Sequence, residues 1–435
     1  MSDGWTPRLQ AKAYEQVLDA ASRARAAGRT LAASDSTARD KALHALADAL
    51  DDRVAEVLAA NAADLAAAGA LDDSAFDRLQ VTAEMLARRT EELRWLAEQP
   101  DPLGEEPPAG RHGTGGYGGG RHGHSPSPGN SPDSVQWTRL RVPLGVLGVV
   151  YEARPITALE VVGPALRAGN AVLLRGALAA VRTDEALATV IRDALVGAGL
   201  PVDTVVLLPT RERSSIRYLA GAAGLVDLIV VRGGPRLMAS ALADAKVPAL
   251  HLSSGNCHVY VDAAADERHA VDVVLRSKAD PSSLCAVESV LVHADLARTF
   301  VPLIVEAATS SGLRVHGDER VRHLLPAVPE AAAESVANGY RSADIAIGVV
   351  DSLDAALEII DRHGQGHTEV IVTRDDTAAR AFVDGVDAAL VALNVPTTVG
   401  AATMFATQKL HVRASVSAVD LTTHRWLAWN ATPVG

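Results

Sequence analysis

From Leu140 onward the chain alternates short runs of apolar, largely β-branched residues with helical stretches, and that alternation leaves few folds open. The runs VLGVVYEA (146–153), NAVLLRG (170–176), TVVLLP (204–209) and VDLIVVRGG (226–234) are separated by helical segments over 158–168, 185–198 and 214–222. Strands buried on both faces read as near-continuous apolar runs. Their alternation with helices calls for a parallel sheet covered on both sides, and makes this stretch a candidate nucleotide-binding half. A second α/β set follows, with strands in CHVYVDAAAD (257–266), AVESVLVHADL (286–296), ADIAIGVV (343–350) and TEVIVTRDD (368–376). Its helices fall over 269–277, 300–310 and 353–360. The tail from Ala389 mixes strand-like and turn-like pieces, and no internal repeat is visible.

Ahead of these sets, residues 8–100 read as helices over 13–27, 37–66 and 83–97, rich in Ala, Leu, Glu and Arg at three- and four-residue spacing. Asp35 or Ser36 is placed to cap the second. A chain of 435 residues is long enough for two or three compact units. Between helices and strands lies GRHGTGGYGGGRHGHSPSPGNSP (110–132), a Gly-, Ser-, Pro- and His-rich stretch with too little apolar surface to offset the entropy of ordering. Residues 107–132 are therefore expected to be a mobile loop. The spacing of His112, His122 and His124 fits no closed metal cage, and no metal is expected.

The net charge of −12, with no basic run, argues against a nucleic-acid partner. The longest apolar run, near 142–150, is far short of a membrane span and contains Pro and Gly. The N-terminal segment lacks the pattern of a signal peptide. Two cysteines, Cys257 and Cys285, cannot build a disulfide framework and sit in segments that look structurally distinct. A reducing, cytoplasmic location is expected.

Cys285 is the candidate nucleophile. Pro281 and two serines break the preceding helix and put it on a loop entering a helix or a strand, the sort of place where catalytic groups concentrate. Near a helix N-terminus its thiolate would gain from the dipole and free amides. A buried structural cysteine is the alternative, and the residues alone leave the two open. Cys257, opening an apolar strand, reads as a packed cysteine, with His258 pointing to the opposite face. Gly233 and Gly234, after VDLIVVR, would let backbone approach a phosphate, although the G-x-G-x-x-G fingerprint is absent after the first strand.

Taken together, AANAADLAAA (59–68), RLRVPLGVLGVVYEARP (139–155), AGNAVLLRG (168–176), VDLIVVRGG, GNCHVYVDAAAD (255–266), SLCAVESVLVH (283–293), GHTEVIVT (366–373) and TQKLHVR (407–413) resemble, in order and over nearly the whole chain, the γ-glutamyl phosphate reductases. Those are the glutamate-5-semialdehyde dehydrogenases of proline synthesis, within the aldehyde dehydrogenase superfamily. The resemblance implies an α/β fold with a parallel-sheet cofactor domain (1–106 and 138–250) and an α/β catalytic domain carrying Cys285 (251–390). A flexible loop and an oligomerisation or tail element would fill 107–137 and 391–435. It implies a soluble homodimer or homotetramer acting on a small acyl phosphate or aldehyde. In the implied chemistry the Cys285 thiolate expels phosphate and forms a thioester, which hydride from NADPH reduces. It places Arg175, Gly176, Gly233 and Gly234 on the cofactor side. Arg154, Asn394, Lys409 and His411 go to the substrate side, and Asn256 is an auxiliary catalytic donor.

The chain departs from that family's pattern at five places, the first being a loop over 107–132 that is longer than the family's. Ile156 stands where the family has an Asn that helps hold the oxyanion, and losing such a donor typically costs about two to three orders of magnitude in turnover. Glu288 follows Cys285 one residue too closely, Gly339 replaces a Glu before Tyr340, and 394–411 is short. Three readings follow: an NADPH-dependent reductase of an activated amino-acid carboxylate, with Cys285 as nucleophile; a thioester-forming acyltransferase that has lost the cofactor; and a catalytically weak paralogue retaining the fold.

Overall fold

A computed structural model describes residues 7–69, 73–105, 135–210, 212–243, 245–252, 255–281, 283, 285–398 and 418–430. The chain opens with α1 (Pro7–Ala32), α2 (Ser36–Asp52), α3 (Val54–Ala67), α4 (Asp73–Leu79) and α5 (Ala83–Glu98). Asp35 caps α2 by accepting the Ala38 N–H, as the sequence suggests. The single helix expected over 37–66 is two, because Arg53 leaves helical geometry between them. Its guanidinium instead bridges Glu56 and, across to a later helix, Asp193. Strands β1 (Gly104–Glu105) and β2 (Val135–Pro143) follow. The expected loop 107–132 and its three histidines lie outside the described residues.

The first α/β set forms a five-stranded parallel sheet from β3 (Val146–Tyr151), β4 (Ala171–Arg175), β5 (Val205–Leu207), β6 (Leu228–Arg232) and β7 (Ala249–Leu252), in the order β5-β4-β3-β6-β7. Its connections carry α6 (Thr157–Arg167), α7 (Val181–Gly197), α8 (Ser214–Ala220) and α9 (Pro235–Leu242). One face packs on Val17, Ala20 and Ala24 of α1 together with α8 and α9; the other packs on α2, α5, α6 and α7. Burial on both faces explains why these strands read as unbroken apolar runs.

The second set forms a six-stranded parallel sheet, ordered β10-β11-β9-β8-β12-β13. Its strands are β8 (Cys257–Val261), β9 (Val287–His293), β10 (Arg314–Gly317), β11 (Asp344–Val350), β12 (Thr368–Val372) and β13 (Leu390–Leu393). The accompanying helices are α10 (Glu267–Ser277), α11 (Ala294–Ser310), α12 (Glu319–Leu324), α13 (Ala333–Asn338), α14 (Leu353–His363) and α15 (Asp376–Gly385). The two cysteines are not in distinct places. Cys257 opens β8 and pairs in register with Val287 of the neighbouring β9, two residues past Cys285.

The last described strand, β14 (Thr422–Asn430), returns to pair antiparallel with all of β2, from Thr422 opposite Pro143 to Asn430 opposite Val135. Asn170 joins this ribbon to the five-stranded sheet. Its amide accepts from the Gly145 N–H at 2.8 Å and donates to the Leu421 carbonyl at 2.8 Å. Among the described residues, no helix is long and apolar enough to cross a membrane.

Candidate active site

In parallel sheets the loops leaving the carboxyl ends of the strands build ligand sites, above all where the strand order reverses. In the five-stranded sheet that reversal lies between β3 and β6, because the chain runs outward through β4 and β5 and then returns to β6. Tyr151, Glu152 and Arg154 leave β3 there, and Arg232, Gly233 and Gly234 leave β6 beside them. Arg175 and Gly176 leave β4 one strand away. Against this edge stands the amino edge of the six-stranded sheet. Asn256 precedes β8, Cys285 precedes β9, Gly339–Arg341 precede β11 and His367 precedes β12. The candidate cleft thus joins residues that follow strands in the first set to residues that precede strands in the second.

Cys285 is buried, 5% exposed, and belongs to the same apolar cluster as Tyr151 and Ile156. It leads into a strand, so the helix dipole considered for its thiolate is not supplied by its own element. Its backbone N–H donates to the Ser283 hydroxyl at 3.4 Å. Burial, and then the charge of Glu160, push the thiol up to about 12, against the pull of Arg232, Ser283 and Arg89.

Glu160 lies one turn into α6, an acid inside the otherwise apolar ITALEVVGPAL. Burial alone would raise its carboxyl. The guanidinium groups of Arg154, Arg89 and Arg232 outweigh that and hold it at about 2. Arg154 binds it at 2.8 Å and stands 4.0 Å from Asp280. Arg88 reaches Asp280 at 3.7 Å, and Arg89 holds Glu92 at 2.6 Å. Burial pushes Glu92 up to about 7, although Arg89 pulls the other way. The wall beside Cys285 is therefore a partly buried network of both signs, built mainly by α5, α6 and the 280 loop.

The amino edge of the six-stranded sheet carries its own fixed polar pairs. Lys278 and Glu288 meet at 2.8 Å with almost no exposure. The other Glu288 oxygen accepts the Tyr340 and Arg341 N–H groups at 2.6 and 3.1 Å. Gly339, with φ +74°, leads into this turn; a Cβ there would lie 3.0 Å from Glu288 Cγ. Glu288 thus fastens the turn that Gly339 opens. His258 Nδ1 meets Glu369 at 3.0 Å, both buried. Cys257 Sγ lies 3.8 Å from His367 Nδ1, and burial raises its thiol well above the ordinary value. It is packed within the sheet, as its position at the strand entry suggests.

The sequence-based site residues divide. Arg154, Arg175, Gly176, Gly233 and Gly234 meet at the carboxyl edge described above. Arg154 is engaged with Glu160. Arg175 spreads over Ser215 Oγ and the Gly176 and Glu212 carbonyls at 3.3–3.4 Å. Gly176 sits tight, since a Cβ would lie 2.9 Å from the Tyr151 ring. Around Gly234 there is room: a Cβ would meet only Glu152, at 3.8 Å. Gly234 is also the N-cap of α9 and leaves that terminus without a side-chain cap. Open backbone at a helix N-terminus on the switch-point edge suits a dinucleotide phosphate.

Asn256 stands on the Cys285 side, but its Nδ2 donates to the carbonyls of Val336, Ala337 and His363 at 2.7, 3.4 and 3.1 Å. Its Oδ1 is buried without a partner and is an acceptor, not the donor an oxyanion needs. Asn394 is a correction. It follows β13, so it lies at the carboxyl edge of the six-stranded sheet, the opposite end from Cys285. Both ends of its amide engage Thr373 backbone at 2.9 Å, which suits an Asn held at φ +57°. Lys409 and His411 lie outside the described residues. Among the described residues no His/Cys/Asp/Glu group is arranged to hold a metal.

Several residues of this cleft escape a reading by motif: Arg89, Glu92, Glu160, Arg232, Asp280 and Arg341. Two carry a signal in hindsight. Arg232 is the charge that ends LIVVR, and Glu160 is the lone acid of an apolar helix. Thr157, next to Ile156, adds a buried hydroxyl without a partner.

A profile of the aldehyde dehydrogenase family matches residues 5–343. The chain is 38% identical over 418 residues to the γ-glutamyl phosphate reductase of Thermobifida fusca (strain YX), covering 94% of this chain and 96% of that one. It resembles the crystal structure of γ-glutamyl phosphate reductase from Thermotoga maritima with a TM-score of 0.75 and 30% identity, over 97% of this chain and 100% of that one. An acetylating aldehyde dehydrogenase from Geobacillus thermoglucosidasius shares the fold, with a TM-score of 0.72 at 16% identity over the whole of both chains.

Proposed function

The chain belongs to the aldehyde dehydrogenase family, in its γ-glutamyl phosphate reductase branch, and from that we propose that it reduces an amino-acid acyl phosphate to a semialdehyde through a Cys285 thioester. The observation that carries the reading is the position of Cys285, at the amino edge of one sheet facing the switch-point edge of the other.

With its thiol near 12, Cys285 waits protonated at neutral pH. Attack on the acyl carbon therefore needs the proton to leave as the C–S bond forms. Glu160 is a poor acceptor, held ionised at about 2 and bound by Arg154. The phosphoryl oxygens of the substrate are better ones. The thiol sulfur bonds to the carbonyl carbon, the carbon–oxygen bond to phosphate breaks, and the thiol proton departs on hydrogen phosphate. Gly233, Gly234 and the uncapped N-terminus of α9 would hold a nicotinamide dinucleotide phosphate. When bound, that group supplies hydride to the thioester carbonyl. The wall of Arg88, Arg89, Glu92 and Asp280 carries both signs, which suits a zwitterionic amino-acid substrate.

The test is intact mass of the protein mixed with γ-glutamyl phosphate made in place by a kinase, without dinucleotide. An acyl adduct on the wild type and none on Cys285→Ala is expected. Cys285→Ala reducing the acyl phosphate at the wild-type rate overturns the reading. A second reading, an idle paralogue, is favoured by Ile156 and the protonated thiol; a trapped adduct eliminates it.

A further inference from the structure

We propose that Arg232 and Arg341 form a cradle for a phosphoryl dianion beside Cys285. The proposal rests on the reading that an acyl phosphate meets this cysteine, and it names the residues that receive the phosphate.

Arg232 ends β6 at the switch point and is 6% exposed. Its Nε is buried with no acceptor, and no carboxylate lies within ion-pairing distance of it among the described residues. Its neighbour Arg154 takes one Glu160 oxygen at 2.8 Å, so the charge of Glu160 reaches Arg232 only through space, without a hydrogen bond. A buried guanidinium with no carboxylate hydrogen-bonded to it is costly, and a ligand anion would meet that need.

Arg341 comes from the opposing sheet edge. Its Nε is likewise buried without an acceptor. Its backbone is left-handed, at φ +56°, a conformation rare for a side-chain-bearing residue and one found at ligand clamps. Glu288, three residues from Cys285, fixes that conformation by accepting the Arg341 N–H. Glu288 cannot also neutralise the guanidinium, because its second oxygen is taken by Lys278.

The two arginines feel one another. Burial, then the charges of Arg154 and Arg341, bring the Arg232 guanidinium down to about 9, while Glu160 and Cys285 oppose this. Two guanidinium forks from opposing sheet edges, each with an unpartnered buried Nε, match a group with two charges and three oxygens better than a single carboxylate. A phosphoryl group held there would leave from the carbonyl that Cys285 attacks, and its dianion would find its counter-charge in place.

The cofactor also carries phosphates, so the experiment separates the two sources. Inorganic phosphate is titrated by calorimetry into the full chain, the Arg341→Met variant and the Arg232→Met variant; NADP+ is titrated in parallel. Phosphate affinity is expected to fall at least tenfold in each variant, with Arg341→Lys recovering part of it and NADP+ affinity changing less than twofold. Arg341 is the less buried of the two, and its variant decides the matter if Arg232→Met does not fold. No measurable phosphate binding to the wild type, or unchanged binding in Arg341→Met, overturns the cradle. So does a tenfold loss of NADP+ affinity with phosphate binding intact. Because phosphate binding needs no turnover, a protein that binds phosphate and forms no adduct on Cys285 would sink the thioester reading and leave the cradle standing.

Discussion

Two groups of buried charge lie close together in this molecule and are built on different rules. Within the six-stranded sheet and its amino edge, the Lys278 ammonium meets the Glu288 carboxylate, and the His258 ring meets Glu369, each polar group with a partner. At the carboxyl edge of the five-stranded sheet Arg154 has Glu160, while Arg232 there and Arg341 on the facing amino edge have no hydrogen-bonded carboxylate among the described residues. The matched pairs hold backbone in place: Glu288 fastens the 339–341 turn and Glu369 accepts the His258 N–H. The unmatched charges hold nothing in the protein. A buried charge with a partner is architecture, and one without a partner is poised for a ligand.

The largest effect should come from breaking a matched pair. Lys278→Met leaves Glu288 buried and uncompensated, which should cost roughly 3–5 kcal/mol, read as the shift of a urea midpoint. A loss under about 1 kcal/mol would mean that the Lys278–Glu288 pair is not architectural, and the contrast would fail.

A smaller change should come from the mixed network. Glu160 is the second cause, after burial, of the raised Cys285 thiol. Glu160→Gln should therefore lower that pKa and speed alkylation of Cys285 by iodoacetamide at pH 8 several-fold. An unchanged rate would show that the thiol does not sense the network.

Glu92 gives the mildest expectation, and its sign is opposite to that of an ordinary paired acid. Burial raises it from an ordinary 4.5 to about 7, so the folded state favours the protonated carboxyl. Its contribution is complete below about pH 4.5 and is lost as pH rises through about 7. Glu92→Gln should flatten that slope, by on the order of 1–2 kcal/mol between pH 5 and pH 8 in urea unfolding. A variant with the wild-type slope would place Glu92 outside the coupled group.

The strands are legible because burial on both faces makes their runs apolar up to the closing arginine, as in AVLLR and LIVVR. The caps are legible where a side chain supplies the bond, as at Asp35. The break at Arg53 is not, because no Pro, Gly or side-chain cap marks it in the sequence. Cys285 is visible as a loop cysteine, yet its thiol is raised by burial and then by Glu160, from a different element, and no local pattern joins the two. Asn394 looked like a neighbour of the cysteine on the strength of resemblance. Strand direction then puts it at the other end of the sheet. Pairing across distance and the direction of strands are the two things a linear reading supplies least well.

The antiparallel ribbon has a consequence for how the protein comes into being. Both parallel sheets are complete by Leu393, but β2 meets its partner β14 only once Thr422–Asn430 has been made. During synthesis the ribosome therefore releases two nearly finished layers while one strand still shows an open edge. Asn170 waits as well, since its amide donates to Leu421. The closing of the ribbon is a late, long-range event, and it is the step at which a nascent chain can pair with the wrong neighbour.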